Sequence, residues 1–296
     1  MNSFNVWFSL LFIALFNEFQ GNGKVGFYVE AIRGNLAERI EDHNYMVGIY
    51  NEEVRIVNGS QTMGAGQCVG VIIDPYKVVT AAHCVSGTYL NITLKFGSLN
   101  HDEPLYIHDV IIKEEIFLHP EYSIYRYLQN DIAVILLKKK IPFGQKIGKI
   151  NLVERGYIPK VGESVSILGY TQLNEETTPS YFPSNLRYVN STIADFQTSR
   201  QKNSDFNSAL FVDDKEQFCV SSNDGKPIIN MGDSGGPVLT RDNKLLGIVS
   251  WGMNEPEYLY DIMTLIPAYM DFINDPVQFT RATYLRLGFI KEDNPL

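Results

Sequence analysis

The sequence predicts an all-β fold, either a sandwich or a barrel, on three observations. Short apolar runs rich in β-branched residues recur along its 296 residues, which is the pattern of buried or half-buried strands. Turn signals such as Asp74-Pro75 and Asp242-Asn243 separate these runs. The intervening segments show too little helical periodicity for an α/β crossover fold. An all-β architecture follows.

Each predicted strand rests on one apolar run, and in chain order the runs are "NYMVGIY", "QCVGVIID", "YKVVTAAHC", "LNITLKFG", "NDIAVILL", "ESVSILGY" and "LLGIVSWG". A helix is expected only near the end, from Ile266 through Phe272. The tail, residues 275–296, has scattered apolar positions. They favour packing against the domain over a helix that binds a partner.

Charge and length restrict the function. The formal net charge of −9 argues against nucleic acid as a partner, because binding phosphates requires a basic surface. A chain of this length can bury one large core or two modest ones. We expect no cofactor and no metal ion, and we expect a monomer.

The N-terminal segment resembles a secretory leader. Its apolar run, Val6 to Phe16, is too short to span a bilayer but suits the core of a signal peptide. We therefore expect residues 1–21 to be a signal peptide, and we disfavour the alternative of a buried N-terminal strand. No later stretch is long and apolar enough for a membrane span, so a secreted, extracellular protein is expected.

Glycosylation triplets and cysteines fit secretion. Each triplet has the Asn-x-Ser/Thr form, although such triplets are weak signals alone; their asparagines are Asn58, Asn91 and Asn190. The chain has three cysteines, which are Cys68, Cys84 and Cys219. An odd count leaves one thiol either unpaired or paired with another chain.

Three segments carry candidate chemistry: "TAAHC", "NDIAVILL" and "GDSGGP". Each alone could be structural, but the order His83, Asp131, Ser234 within them resembles the chymotrypsin-like serine proteases. The resemblance runs from about Ile32 to Asn274, and "VGESVSILGY" and "FPSNLRYVN" look most like mite trypsin-like allergens and their paralogues. It implies two packed antiparallel six-stranded β-barrels with a C-terminal helix. The barrels would cover roughly residues 32–150 and 151–274.

The resemblance also implies catalytic roles. A serine hydroxyl is a poor nucleophile until a base removes its proton, and histidine is both neutral and basic near pH 7. Ser234 would be the nucleophile, His83 the general base and then acid, and Asp131 the carboxylate that orients the imidazole. Gly232 permits a turn in which its N–H and that of Ser234 face the developing oxyanion.

The family pattern extends to the surrounding positions. It implies a Cys68–Cys84 disulfide beside the histidine and leaves Cys219 as a buried thiol. Ser250-Trp251-Gly252 resembles the strand that pairs with substrate and walls the specificity pocket.

An activation end is also implied. Active members bury a newly cut N-terminus against the aspartate before the nucleophile, here Asp233. Arg55-Ile56 resembles a tryptic cleavage site, but a start at Ile56 leaves no room for the first strand. We expect Ile32 to be the mature N-terminus and residues 22–31 to be a short propeptide. Residues 54–67 are then expected to form a long loop that carries Asn58.

Several departures concern the pocket. Ile228 stands at the pocket base, where trypsins have an aspartate, and Asn230 replaces a bracing cysteine. Tyr170 replaces a tryptophan. Asp261 lies near the back wall, where it would either bind a basic side chain or fill the pocket.

Two functions therefore stay open. The first is a secreted serine endopeptidase of non-tryptic or narrowed specificity, which acts on proteins or peptides and is a potential target of protease inhibitors. The second is a catalytically impaired protease homologue that binds proteins.

Overall fold

The computed structural model describes residues 34–57, 60–124, 128–170, 185–195, 215–221, 228–230, 232–252 and 260–291. The strands of these ranges are β1 (Asn35–Leu36), β2 (Met46–Val57), β3 (Ser60–Asp74), β4 (Lys77–Thr80), β5 (Tyr89–Phe96), β6 (Tyr106–Asp109), β7 (Ile116–Leu118), β8 (Ala133–Leu136), β9 (Asn151–Leu152), β10 (Ser164–Gly169), β11 (Arg187–Ala194), β12 (Gln217–Ser221), β13 (Pro237–Thr240), β14 (Lys244–Gly252) and β15 (Tyr260–Leu265). The α-helices are α1 (Ile112–Glu115), α2 (Met270–Asn274) and α3 (Pro276–Arg286), and the 3₁₀ turns are Ile40–His43, Ala82–Cys84 and Ile266–Tyr269. The leader and Ile32 lie outside the described residues.

The second half of the chain forms a closed barrel. Its sheet has the strand order β1-β11-β10-β13-β14-β15-β12, and an additional β11–β12 pairing closes six of these strands. Every ladder between those six strands is antiparallel. This is the six-stranded barrel that the sequence predicts.

The first half forms a curled sheet rather than the predicted closed barrel. Its seven strands run in the order β6-β5-β2-β3-β4-β8-β7, and within the described residues no ladder joins β6 to β7. Helix α1 separates these two short strands, and its buried Glu115 accepts the N–H groups of Ile111 and Lys138 at 2.8 and 2.7 Å. A carboxylate thus satisfies backbone donors at this edge of the sheet.

The segment 54–67, predicted to be a loop, is instead part of the β2–β3 hairpin. The pairing continues outward through Val54↔Met63 to Val57↔Ser60. Val54, Ile56 and Val57 are β-branched and favour strand, and the Asn-Gly dipeptide that follows them is a strong hairpin signal. Asn58 itself lies outside the described residues.

Segments near both limits of the described residues connect the two halves. Strand β1 pairs with β11 of the second barrel. At the other end, Phe279 of helix α3 packs against the central apolar cluster. Arg286 forms an ion pair with Glu121 at 3.1 Å. The described part of the tail, residues 275–291, therefore packs against the domain, as predicted, but residues 276–286 form helix α3, where no helix was predicted. No helix among the described residues is long and apolar enough to cross a membrane.

Candidate active site

A histidine and a buried aspartate form the centre of the site. His83 lies on the 3₁₀ turn that follows β4. Its backbone N–H donates to Asp131 Oδ1 at 2.9 Å, and its Nδ1 donates to Asp131 Oδ2 at 2.8 Å. The two bonds fix both the position and the plane of the imidazole. They also leave Nε2, on the other side of the ring, as the atom that can exchange a proton with a substrate group.

Asp131 is itself held by hydroxyl groups of the second barrel. Ser250 donates to Asp131 Oδ2 at 2.5 Å, and Thr264 donates to the Asp131 carbonyl oxygen at 3.0 Å. The aspartate is completely buried, where an ionised carboxylate requires partners of this kind. Burial lowers the pKa of His83, but the charge and hydrogen bond of Asp131 outweigh it and raise that pKa above its usual value.

The backbone around Ser234 is anchored from both halves. Val69 N–H donates to the Ser234 carbonyl at 2.8 Å, and Gly235 N–H donates to Val249 O at 2.8 Å. Gly235 has φ +80°, and a Cβ there would lie 2.1 Å from Val69 O. Only glycine fits this position, so the "GDSGGP" sequence is dictated by close packing as well as by chemistry.

The serine lies beside the histidine turn. Cys84 Sγ is 3.8 Å from His83 Nε2 and 3.6 Å from the Ser234 carbonyl oxygen. No hydrogen bond joins the Ser234 hydroxyl to His83 in the part of the chain that the structure describes. Bonds of this kind are often long or poorly aligned before substrate binds.

Gly232 forms a turn next to Ser234 that bears on the two predicted oxyanion donors. Its φ is +97°, a conformation that L side chains rarely adopt. The N–H groups of Gly232 and Ser234 have no acceptor among the described residues. N–H groups in this position next to the serine can donate hydrogen bonds to a developing oxyanion.

A disulfide connects the histidine turn to β3. Cys68 and Cys84 are bonded with Sγ atoms 2.09 Å apart and Cα atoms 6.1 Å apart. This is the predicted bridge. Cys219 is buried and is not in a disulfide, which also agrees with the prediction.

Asp261 and Ile229 occupy the space over Gly252. The carboxylate of Asp261 accepts the N–H of Ile228 at 2.9 Å and also bonds the N–H of Ile229. A Cβ on Gly252 would lie 2.3 Å from Asp261 Oδ1 and 3.1 Å from Ile229 Cδ1. Of the two alternatives from the sequence, this geometry favours an aspartate that fills the pocket. Sequence reasoning did not identify Ile229.

The side chain of Ile228 is buried in the core of the second barrel. It is 2% exposed and packs in the same apolar cluster as Ile229, and its backbone N–H bonds Asp261. Burial raises the pKa of Asp261 to about 7, although the backbone hydrogen bonds oppose this. Trp251 lies next to Gly252 and is partly exposed, but its indole N–H is buried and has no partner among the described residues.

Comparison with known proteins identifies the family. The family model described as "Trypsin" matches residues 32–273. This chain belongs to the trypsin family. The Trypsin Blo t 3 of Blomia tropicalis is 30% identical over 211 residues, which are 70% of this chain and 75% of that protein. The "Vitellin-degrading protease" of Bombyx mori is 28% identical over 230 residues, 76% of this chain and 82% of that protein.

A solved structure agrees on the fold. The scabies mite inactivated protease paralogue S-D1 superposes with a TM-score of 0.69 at 22% identity, over 83% of this chain and 97% of that chain. The predicted resemblance to trypsin-like proteases and to mite relatives is therefore confirmed.

Of the two activation residues predicted for this trypsin-family chain, the structure describes Asp233 but not Ile32. Asp233 is fully buried, and its Oδ2 accepts the N–H of Asn230 at 2.9 Å. Asn230, which replaces the family cysteine, is itself buried at 8% exposure. Ile32 lies outside the described residues, so its pairing with Asp233 stays a prediction.

Proposed function

We propose that the protein is a secreted serine endopeptidase, made as a zymogen, that hydrolyses peptide bonds through His83, Asp131 and Ser234. The observation that supports this most directly is the doubly bonded His83–Asp131 pair, with the Ser250 hydroxyl on the same carboxylate. A general base requires such an arrangement, because the carboxylate stabilises the imidazolium as it forms.

The proposed reaction follows from these positions. The Ser234 hydroxyl attacks the peptide carbonyl while His83 Nε2 takes its proton, and the carbonyl oxygen becomes an oxyanion bonded by Gly232 and Ser234 N–H. His83 then gives the proton to the leaving amine, which breaks the C–N bond and leaves an acyl group on Ser234. Water, activated by the same imidazole, attacks that ester and regenerates the serine.

The pocket supports a narrowed specificity. The carboxylate of Asp261 already bonds two backbone N–H groups and lies against Gly252. A large side chain before the scissile bond would have to displace it, and a basic one would have to compete with those bonds. We propose that the enzyme cleaves after small or apolar residues rather than after Lys or Arg.

A fluorophosphonate probe tests the activity. Protein processed to begin at Ile32 should be labelled on Ser234, and Ser234→Ala should remove both labelling and peptide hydrolysis. Ser166→Ala, which removes a half-buried hydroxyl of β10 that bonds Asn190 rather than a catalytic residue, is the matched control and should keep both. Absence of labelling in correctly processed, folded protein would contradict the proposal.

A second function, a catalytically impaired homologue that binds proteins, is favoured by two observations. Asp261 and Ile229 fill the pocket over Gly252, and no hydrogen bond joins Ser234 to His83 among the described residues. Two neighbours in structure are scabies mite inactivated protease paralogues. A processed protein that resists the probe would support this function.

A further inference from the structure

A groove on the outer face of the second barrel lies away from the catalytic residues. It encloses about 440 Å³, within the ~300–1,000 Å³ range typical of small-ligand sites. Strands β10, β11 and β13 form its floor, and the 3₁₀ turn Ile40–His43 with Tyr45 forms one wall. Its aromatic lining includes His43, Tyr45 and Tyr188, and its polar lining includes Arg241 and Asn243.

One residue of this lining is the asparagine of a glycosylation triplet. Asn190 lies within β11, and residues two apart on a strand share a face. Tyr188 and Asn190 accordingly both line the groove. Ser166 donates to Asn190 Oδ1 at 2.8 Å, while Nδ2, the atom that carries an N-linked sugar, has no acceptor among the described residues.

We infer that this groove holds the carbohydrate attached to Asn190, with the first sugar against the Tyr188 ring. A sugar presents an apolar C–H face and polar hydroxyls, and the groove offers aromatic rings beside the Arg241 and Asn243 side chains. Attachment forms a bond between Nδ2 and C1 of the sugar, breaks the bond from C1 to a lipid diphosphate, which leaves, and transfers one Nδ2 proton to a base of the transferase. The inference rests on the proposed secretion, because that donor is met only on the secretory route.

The chain contains its own comparison site. Asn91 has the same Tyr-x-Asn-x-Thr spacing, with Tyr89 and Thr93. There the asparagine Nδ2 donates to Thr93 Oγ1 at 3.1 Å, and Tyr89 packs against the core of the first sheet. Asn91 does not line the groove of Asn190, so a sugar on it should extend into solvent.

The test uses the full chain secreted from a host that adds high-mannose glycans, followed by native digestion with an endoglycosidase that cuts between the two core sugars. Glycopeptide mass spectrometry should find sugar on Asn190. Its release should be slower than release from Asn91 by about two- to tenfold, the factor expected from one aromatic contact. Prior denaturation should make the two rates equal.

Two variants test whether the groove causes the slower release of sugar from Asn190. Tyr188→Ala should speed release from Asn190 and leave Asn91 unchanged, and His43→Ala should do the same if Tyr188→Ala fails to fold. Equal native rates at both sites, or sugar on Asn91 without sugar on Asn190, would overturn the inference. Absence of sugar from every triplet would contradict secretion and this inference together, whereas fluorophosphonate labelling tests the catalytic proposal independently.

Discussion

At the scale of single residues, Asp131 is held by more donors than orienting an imidazole requires. Ser250 belongs to the strand that the sequence assigned to substrate binding, yet its hydroxyl bonds Asp131 Oδ2. The strand that would bind substrate is thus connected directly to the carboxylate behind the base. A hydrogen bond to a charged group contributes about 1.5–3 kcal/mol, enough to affect catalysis if part of it is lost.

Replacing the Ser250 hydroxyl should lower kcat/KM moderately. We expect Ser250→Ala to reduce kcat/KM by about tenfold, because the Asp131 carboxylate loses a charge-assisted donor worth ~1.5 kcal/mol. Steady-state kinetics on a peptide cleaved by the wild type measures this. Ser166→Ala is the control, and an unchanged kcat/KM in Ser250→Ala would contradict the role.

The pH dependence of labelling should reflect His83. In the proposed mechanism only the neutral imidazole accepts the Ser234 proton, and Asp131 raises the pKa of His83 above its usual value. The rate of fluorophosphonate labelling should therefore increase with pH, with a midpoint above the ordinary histidine value of about 6.5. Asp131→Asn should move the midpoint down, whereas Asp271→Asn, at an exposed ion pair, should not. A wild-type midpoint below 6.5 would contradict the assignment.

Opening the pocket should change the preferred substrate. Asp261→Gly removes the carboxylate that lies against Gly252. We expect kcat/KM for leucine before the scissile bond, relative to alanine, to rise by about tenfold or more. Asp261→Asn keeps the shape and should keep the wild-type preference. Profiling with peptide libraries checks this, and efficient cleavage after Arg by the wild type would contradict a filled pocket.

The candidate site could be predicted only in part from the sequence. His83, Asp131 and Ser234 stand in distinctive segments, and the Cys68–Cys84 bridge followed from the resemblance. The filling of the pocket could not be predicted, because it depends on contacts between segments that are distant in sequence. The Asp261 carboxylate bonds the N–H of Ile228, and both Asp261 and Ile229 lie against Gly252.

At the scale of elements, the strands were more predictable than their pairing. The apolar, β-branched runs predicted the strands β2, β3, β4, β5, β8, β10 and β14, but not the others, which include β11, β12, β13 and β15 of the closed barrel. Whether a sheet closes depends on contacts distant in sequence, such as β11–β12, where Thr192 pairs with Ser221. In the first sheet the buried Glu115 bonds backbone donors at the open edge, and nothing in the local sequence indicates this.

The disulfide should stabilise the turn that carries His83, the proposed base. It spans 16 residues between β3 and the His83 turn, and a loop of that size contributes about 3 kcal/mol in the chain-entropy model. We expect the double variant Cys68→Ser, Cys84→Ser to lose about that much free energy of unfolding in urea. Reduced wild-type protein is the control and should match it. Equal stability of the variant and the oxidised wild type would contradict the prediction.

At the scale of the whole molecule, the C-terminal segment joins the two halves around a buried histidine. His119 follows β7, and its ring lies 5.2–5.3 Å from the rings of Tyr269, Phe272 and Phe279. Phe272 and Phe279 belong to helices α2 and α3. The halves therefore meet at a contact that includes a titratable ring.

This contact should make the fold sensitive to acid. Burial lowers the pKa of His119 to about 4, whereas an unfolded histidine titrates near 6.5. The unfolded chain then binds more protons between these values, so the stabilising contribution is complete above about pH 6.5 and is lost as the pH falls toward 4. The loss is about 1.4 kcal/mol per pH unit. Urea unfolding at several pH values should show this loss. His119→Phe should reduce the slope of the free energy of unfolding against pH.

The variant comparison is needed because other groups act in the opposite direction. The raised pKa values of His83 and Asp261 mean that their folded forms bind protons more readily than the unfolded chain, so their contributions are lost as the pH rises. These contributions are the same in wild type and in His119→Phe, so they cancel in the difference between the two free energies of unfolding. That difference in free energy of unfolding should change with pH only between about 6.5 and 4. A difference independent of pH would show that the pKa of His119 does not change on unfolding.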